Sequence, residues 1–161
     1  NKFAQFSIFT PYPGTPIFKK FESLITTKKL EDFNNRRREI ASYYSISFLD
    51  DDSISIPRII DNIKHSWHLF PIFVNFKNLE IDRVTFMQEL EAEGIKTSVH
   101  YIPLHLHPYY RKKYGYKPED YPNTFNFYSD EISLPIYPKM TQDDTEDVVN
   151  SVKKLIQKYK L

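Results

Sequence analysis

The chain has 161 residues and a mass of 19.3 kDa, the size of one domain with at most an appendage. Twenty-two basic residues nearly cancel twenty-one acidic ones, and the net charge of +1 speaks against a dedicated nucleic-acid binder, which concentrates basic charge on one face. The absence of cysteine excludes disulfides, a thiolate zinc site and an iron–sulfur cluster held by this chain.

No apolar run approaches the ~20 residues of a membrane helix, and no signal peptide is recognisable, so a cytoplasmic location is expected. The first residue is Asn1 and not methionine, so the sequence is expected to be a piece of something longer. In chain order, Phe6 to Phe9 reads as a short strand, and Pro11, Pro13, Gly14 and Pro16 enforce a turn and loop after it. Ile17, Phe21, Leu24 and Ile25 suggest one or two amphipathic turns. From Lys28 to about Leu49, Leu30, Phe33, Arg37, Ile40, Tyr44 and Phe48 recur every three or four residues, the stripe of a half-buried helix. Arg36, Arg37 and Arg38 read as a solvated face of that helix, with a phosphate-facing patch as the alternative.

Residues 50–66 read as a polar connection. His68, Phe70, Ile72, Val74 and Phe76 then alternate as a strand with one strongly apolar face, and Pro71 within it implies an edge position or a bulge. Trp67 reads as core. Asp82 is placed to cap a helix through Phe86, Met87 and Leu90 that closes at Gly94. Ile95, Thr97, Val99 and Tyr101 alternate with Lys96, Ser98 and His100, which predicts a strand carrying a polar set to one sheet edge, halted by Pro103. A loop or short helix with His105, His107, Tyr109 and Tyr110 follows. Pro122 opens a helix through Phe125 and Tyr128. Ile132, Leu134 and Ile136 mark a last strand. Thr141 and Asp144 form a capping box before a final helix with Val148, Val152, Leu155, Ile156 and Tyr159 on one face. The expected fold is an α/β two-layer sandwich: a mainly antiparallel three-stranded sheet with helices on one face.

Two stretches resemble known families. Phe6 to Phe18, which contains Pro11-Tyr12-Pro13-Gly14-Thr15, with Leu24-Ile25-Thr26 behind it, resembles the region after the barrel strands of cobalamin-binding-type radical S-adenosylmethionine enzymes. That chemistry needs a three-cysteine cluster motif, so the segment cannot perform it alone. From residue 28 onward the resemblance is to the DegT/DnrJ/EryC1/StrS aminotransferases. It is carried by Lys29-Leu30-Glu31-Asp32-Phe33 with Arg36 to Tyr44, by His65 to Ile72, by Gly94 to His105, and by Ser133-Leu134-Pro135-Ile136-Tyr137-Pro138 running to Thr141. The implied organisation is residues 1–27 as a radical-enzyme-like appendage or loop segment, and residues 28–161 as the C-terminal small domain of a fold-type I aminotransferase.

The family resemblance implies pyridoxal phosphate as cofactor, a nucleotide-sugar and L-glutamate as substrates, and a homodimer. No nucleic acid or membrane partner is expected. Within the family, the pattern is most similar to transaminases making 4-amino-4,6-dideoxy sugars on a nucleotide carrier. The family's Schiff-base lysine and phosphate cradle precede the matched region, so this chain alone is expected to bind no pyridoxal phosphate and to be inactive. His100, Tyr101, His105 and His107 are the expected substrate-side residues; imidazole and phenol groups suit hydrogen bonding to phosphate, hydroxyl and base. Packing of Tyr101 and Tyr110 in the small domain, with the histidines capping loops, is the other reading. Two alternatives for the whole are a non-catalytic α/β binding or interaction module, and the tail of a radical enzyme.

Overall fold

The computed structural model describes residues 27–60 and 62–161, so the expectations for residues 3–25 lie outside the described residues. Helix α1 spans Thr27–Phe48, and its last three turns bury Ile40, Tyr44 and Phe48, each four residues after the last. The front of the predicted stripe behaves differently: Leu30 is 54% and Phe33 38% exposed. Arg36 is not merely solvated. Its Nε and one terminal nitrogen donate to the Met140 carbonyl at 3.2 and 2.8 Å, while the other terminal nitrogen meets Glu39 at 2.8 Å. The middle of α1 is thereby tied to the segment that starts the last helix.

Residues 50–66 contain a strand that polarity alone concealed. Asp51 folds back to accept from the Ser53 N–H at 2.9 Å, and β1 (Ile54–Ser55) follows at once. It pairs antiparallel with the end of β2 (Phe70–Val74), Ile54 opposite Val74 and Ser55 opposite Phe73. On the other side β2 pairs antiparallel with β3 (Glu131–Leu134), from Phe70 opposite Leu134 to Phe73 opposite Glu131. The order is β1-β2-β3. Pro71 therefore sits in the central strand. It is tolerated because β1 reaches only Phe73 and Val74, which leaves the sheet locally an edge at Pro71.

The period of two divides the sheet cleanly. Phe70, Ile72, Val74, Ile132 and Leu134 form one face and are buried. The long helices supply its cover. Helix α2 (Arg83–Ala92) contributes Phe86 and Leu90, and α5 (Gln142–Tyr159) contributes Val148, Val149, Val152, Leu155 and Ile156. Asp82 caps α2 by accepting from the Thr85 N–H at 2.8 Å, and Gly94 takes up the left-handed conformation (φ 86°) just beyond its end. Thr141 and Asp144 form the predicted capping box on α5, with bonds of 2.8 and 3.0 Å. Pro71, Phe73, Glu131 and Ser133 make the second face. Helix α4 (Pro122–Asp130) lies against it, with the Phe127 ring 4.6 Å from that of Phe73.

The strand expected over 95–101 shrinks to one bridge. Ser98 and Ser133 exchange both backbone bonds, at 3.2 and 2.8 Å. Two residues on, the ladder would continue through His100, but its N–H turns to the Glu131 side chain at 2.9 Å. A carboxylate thus takes the place of a strand carbonyl, and Pro103 follows without an N–H of its own. The sheet keeps the three predicted strands in number, with β1 in place of 95–101.

Candidate functional site

The second sheet face and the segment leaving it carry the polar groups. Ser98 and Ser133 anchor the approach, and His100 hangs half-buried at the margin of β3. Glu131 and Ser133 are almost fully buried, at 1% and 3% exposure, and face the same way because they lie two apart on β3. Ser133 Oγ donates to Glu131 Oε1 at 2.6 Å and stands 2.9 Å from His100 Nδ1. Ser98 Oγ is a longer neighbour of the same nitrogen, at 3.4 Å. Serine, histidine and a carboxylate meet here in the order carboxylate–hydroxyl–imidazole. A nucleophilic triad requires the imidazole in the middle, so a hydrolytic reading fails on connectivity.

Beyond Tyr101 the chain makes a tight turn at Leu104–Leu106 and then helix α3 (Pro108–Tyr114), which opens on its proline and closes at Gly115, φ 73°. Tyr101 is 75% exposed, with its ring edge-on to His100 at 4.9 Å. His107 is exposed and its Nε2 donates to the Ile102 carbonyl at 3.2 Å, closing the turn. His105 points inward. Its ring lies 4.8 Å from that of Tyr121, and its Nε2 is buried without a hydrogen-bond partner among the described residues. The structure thus joins His100 to Tyr101, while His105 and His107 make their contacts elsewhere on the same segment. Sequence reasoning missed Glu131 and Ser133. The signal was present in the alternation of Glu131 and Ser133 with Ile132 and Leu134, which marks two polar groups on one face of a buried strand.

Tyrosines continue along this edge. Tyr110, Tyr114 and Tyr116 stack in sequence at 6.2 and 5.4 Å, and Tyr116 meets Tyr121 edge-on at 5.6 Å. The hydrogen bond with Tyr121 raises the Tyr116 phenol above its ordinary pKa. The Lys113 ammonium, held by Tyr109 at 3.1 Å, has its pKa raised by that bond and then by Tyr114. Arg83, at the start of α2, lies over the ring of Tyr128 on α4 at 4.4 Å and donates to the Tyr128 carbonyl, and burial raises the nearby Asp130 carboxyl. A cavity of about 580 Å³ beside α5 is lined by Glu93, Lys96, Tyr137, Asp144, Asp147 and Lys154 and includes none of the four histidine-segment residues.

Among the described residues, no group of three histidine, aspartate or glutamate side chains is placed to hold a metal ion. Pyridoxal phosphate needs a lysine amine, a carboxylate for its pyridine nitrogen and a phosphate cradle. The side-chain contacts of His100, His105 and His107 run to Ser98, Ser133, Ile102, Tyr101 and Tyr121, none of which supplies that amine.

This small antiparallel α/β fold, with long helices on one sheet face, is shared with solved aminotransferases. The model of the DegT/DnrJ/EryC1/StrS aminotransferase family matches residues 23–153, and the chain belongs to that family. It is 40% identical over 131 residues to the spore coat polysaccharide biosynthesis protein SpsC of Bacillus subtilis, covering 81% of this chain and 34% of that protein. It is 36% identical over 124 residues to the dTDP-3-amino-3,6-dideoxy-alpha-D-galactopyranose transaminase of Aneurinibacillus thermoaerophilus, covering 76% and 31%. Among solved structures, Helicobacter pylori PseC, an aminotransferase involved in the biosynthesis of pseudoaminic acid, superposes with a TM-score of 0.71 at 26% identity, covering 81% and 34%. The chain spans about a third of the length of these curated relatives. Nothing among them supports the radical-enzyme resemblance of the first thirty residues. Among the described residues, no helix is long and apolar enough to cross a membrane.

Proposed function

We propose that this chain is the small domain of a pyridoxal-phosphate-dependent nucleotide-sugar aminotransferase that transfers the amino group of L-glutamate to a keto-sugar. The observation that carries this reading is the family match over residues 23–153, joined to relatives named for sugar transamination and polysaccharide biosynthesis. In the proposed enzyme the cofactor supplies the electron sink for amino transfer, and residues outside this chain hold it. This chain's part is recognition. His100 and Tyr101 offer one imidazole and one phenol at the margin of the sheet, free to meet sugar hydroxyls or phosphate. The buried His105 nitrogen, unpartnered here, is a further point for a ligand or for the facing domain to satisfy. The proposed assembly is a homodimer, its location is cytoplasmic, and the isolated chain is inactive.

The test uses the complete gene product. It is incubated with L-glutamate and a nucleotide-linked 4-keto-6-deoxy sugar, and the product is followed by mass spectrometry. Formation of the 4-amino-4,6-dideoxy sugar with release of 2-oxoglutarate is the expected result. Failure with UDP-, dTDP- and GDP-linked keto-sugars alike, in a protein that shows cofactor absorbance, refutes the substrate class. The isolated chain mixed with pyridoxal phosphate is expected to give no saturable absorbance band that glutamate bleaches, and such a band refutes its inactivity.

A further inference from the structure

The buried pair Glu131 and Ser133 is more than a structural plug, and hydrogen counting shows why. Glu131 accepts twice, from the His100 backbone N–H at Oε2 (2.9 Å) and from the Ser133 hydroxyl at Oε1 (2.6 Å). An ionised carboxylate, the form the count takes for Glu131, only accepts, and a serine hydroxyl has one hydrogen to give. Once that hydrogen points at Glu131, the Ser133 oxygen can face His100 Nδ1, 2.9 Å away, only as an acceptor. The proton on the neutral imidazole must then sit on Nδ1. The state of one ring nitrogen is fixed by the bond the other makes. Among the described residues, His100 Nε2 has no hydrogen-bond partner, so its lone pair is left for something else.

We infer that Glu131 and Ser133 are positioning residues that hold His100 as the Nδ1–H tautomer and present its Nε2 lone pair as an acceptor for a hydroxyl of the bound sugar. The relay runs Glu131 ← Ser133 ← His100, each arrow pointing from donor to acceptor. The Glu131 bond to the His100 backbone also fixes the height of the ring above the sheet edge, so one carboxylate sets both location and protonation site. Ser98, at 3.4 Å, is too long to compete with Ser133 for the ring. The substrate part of the inference rests on the proposed function; the tautomer does not.

Nitrogen-15 imidazole spectra of the labelled protein, at a pH where the ring is neutral, test the relay. Wild type is expected to show a pyrrole-type Nδ1 and a pyridine-type Nε2 at His100. Ser133→Ala is expected to lose this bias and give a mixture, while Ser133→Thr restores it and Ser98→Ala leaves it unchanged. Glu131→Gln gives the sharpest outcome. The His100 N–H requires the amide oxygen, which aims the amide NH₂ at Ser133; the serine hydrogen then swings to Nδ1, and the tautomer inverts to Nε2–H. A wild-type His100 protonated on Nε2 overturns the inference without any variant, as does an unchanged tautomer in a folded Ser133→Ala. Addition of nucleotide-sugar to the complete enzyme is expected to move the Nε2 signal. An Nδ1–H ring whose Nε2 ignores the ligand would keep the relay and refute the substrate role.

Discussion

Tyr44 couples the helical layer to the sheet in two separable ways. Its ring is fully buried, edge-on to Phe70 at 5.1 Å and near Phe48 at 6.3 Å. Its hydroxyl donates to the Pro135 carbonyl at 2.9 Å, just past the end of β3. Tyr44→Phe keeps the ring and removes one bond. A net hydrogen bond contributes about 1 kcal/mol, and the abandoned carbonyl adds only part of its desolvation cost because Pro135 is half-buried. The expected loss is ~1–1.5 kcal/mol, or a Tm lower by roughly 3–5 °C for a chain of this length. Tyr44→Ala also empties the ring's site and is expected to cost ~3–5 kcal/mol, a large fraction of a typical total stability. The assay is urea unfolding of the chain, with midpoints compared at unchanged slope. Alkaline pH adds an independent reading. Burial first, then the nearby Tyr137 and Asp144, pushes the Tyr44 phenol well above its ordinary pKa. Its contribution is therefore fully present below the ordinary tyrosine pKa and is lost as pH rises past it toward the folded value. Tyr44→Phe should remove that part of the alkaline sensitivity. Equal losses for the Phe and Ala variants would refute the division between bond and packing, and so would a neutral Ala variant.

Two further outcomes follow from the surface. Asp82 and Asp144, held down by their capping bonds to Thr85 and Thr141, and Glu89 and Glu93, held down by Lys158 and Lys154, all ionise below the ordinary carboxylate range. Their stabilisation is present above that range and lost as pH falls through the lowered values, so the urea midpoint should fall on acidification, and less steeply in Thr141→Ala. Tyr101, Ile102, Leu104, Tyr109 and Tyr114 leave an apolar strip exposed, so the chain alone should self-associate in sedimentation velocity, and Leu104→Asp should weaken that; monomers at high concentration in both would contradict it.

Local chemistry explains most of what was legible in the sequence. Caps at Asp82 and Thr141, the glycine after α2, and the apolar spacings of α5 act within a few residues, so spacing alone finds them. Pro71 misled because a proline reports the absence of a neighbour at one residue, whereas strand order is a property of the whole sheet; β1 is short enough to satisfy both. The 95–101 segment has a strand's alternation but finds its partner only at Ser98, since Glu131 captures the next N–H. That capture joins residues 31 apart, and no periodicity contains it. The same distance hid half of the candidate site. The histidines announce themselves by type, whereas Glu131 and Ser133 acquire meaning only when β3 is laid beside the Ser98 bridge.

The one tryptophan of the chain has an optical consequence. Trp67 is 6% exposed, its ring between those of His65 at 4.2 Å and Phe70 at 5.3 Å, at the point where the chain turns into β2. All indole emission therefore originates in the buried core, beside Phe70 of β2. Fluorescence will follow the packing of this core onto β2 with no label attached. It will be nearly blind to the other side, where His100 and Tyr101 stand, so a ligand arriving there has to be watched by tyrosine or imidazole signals instead.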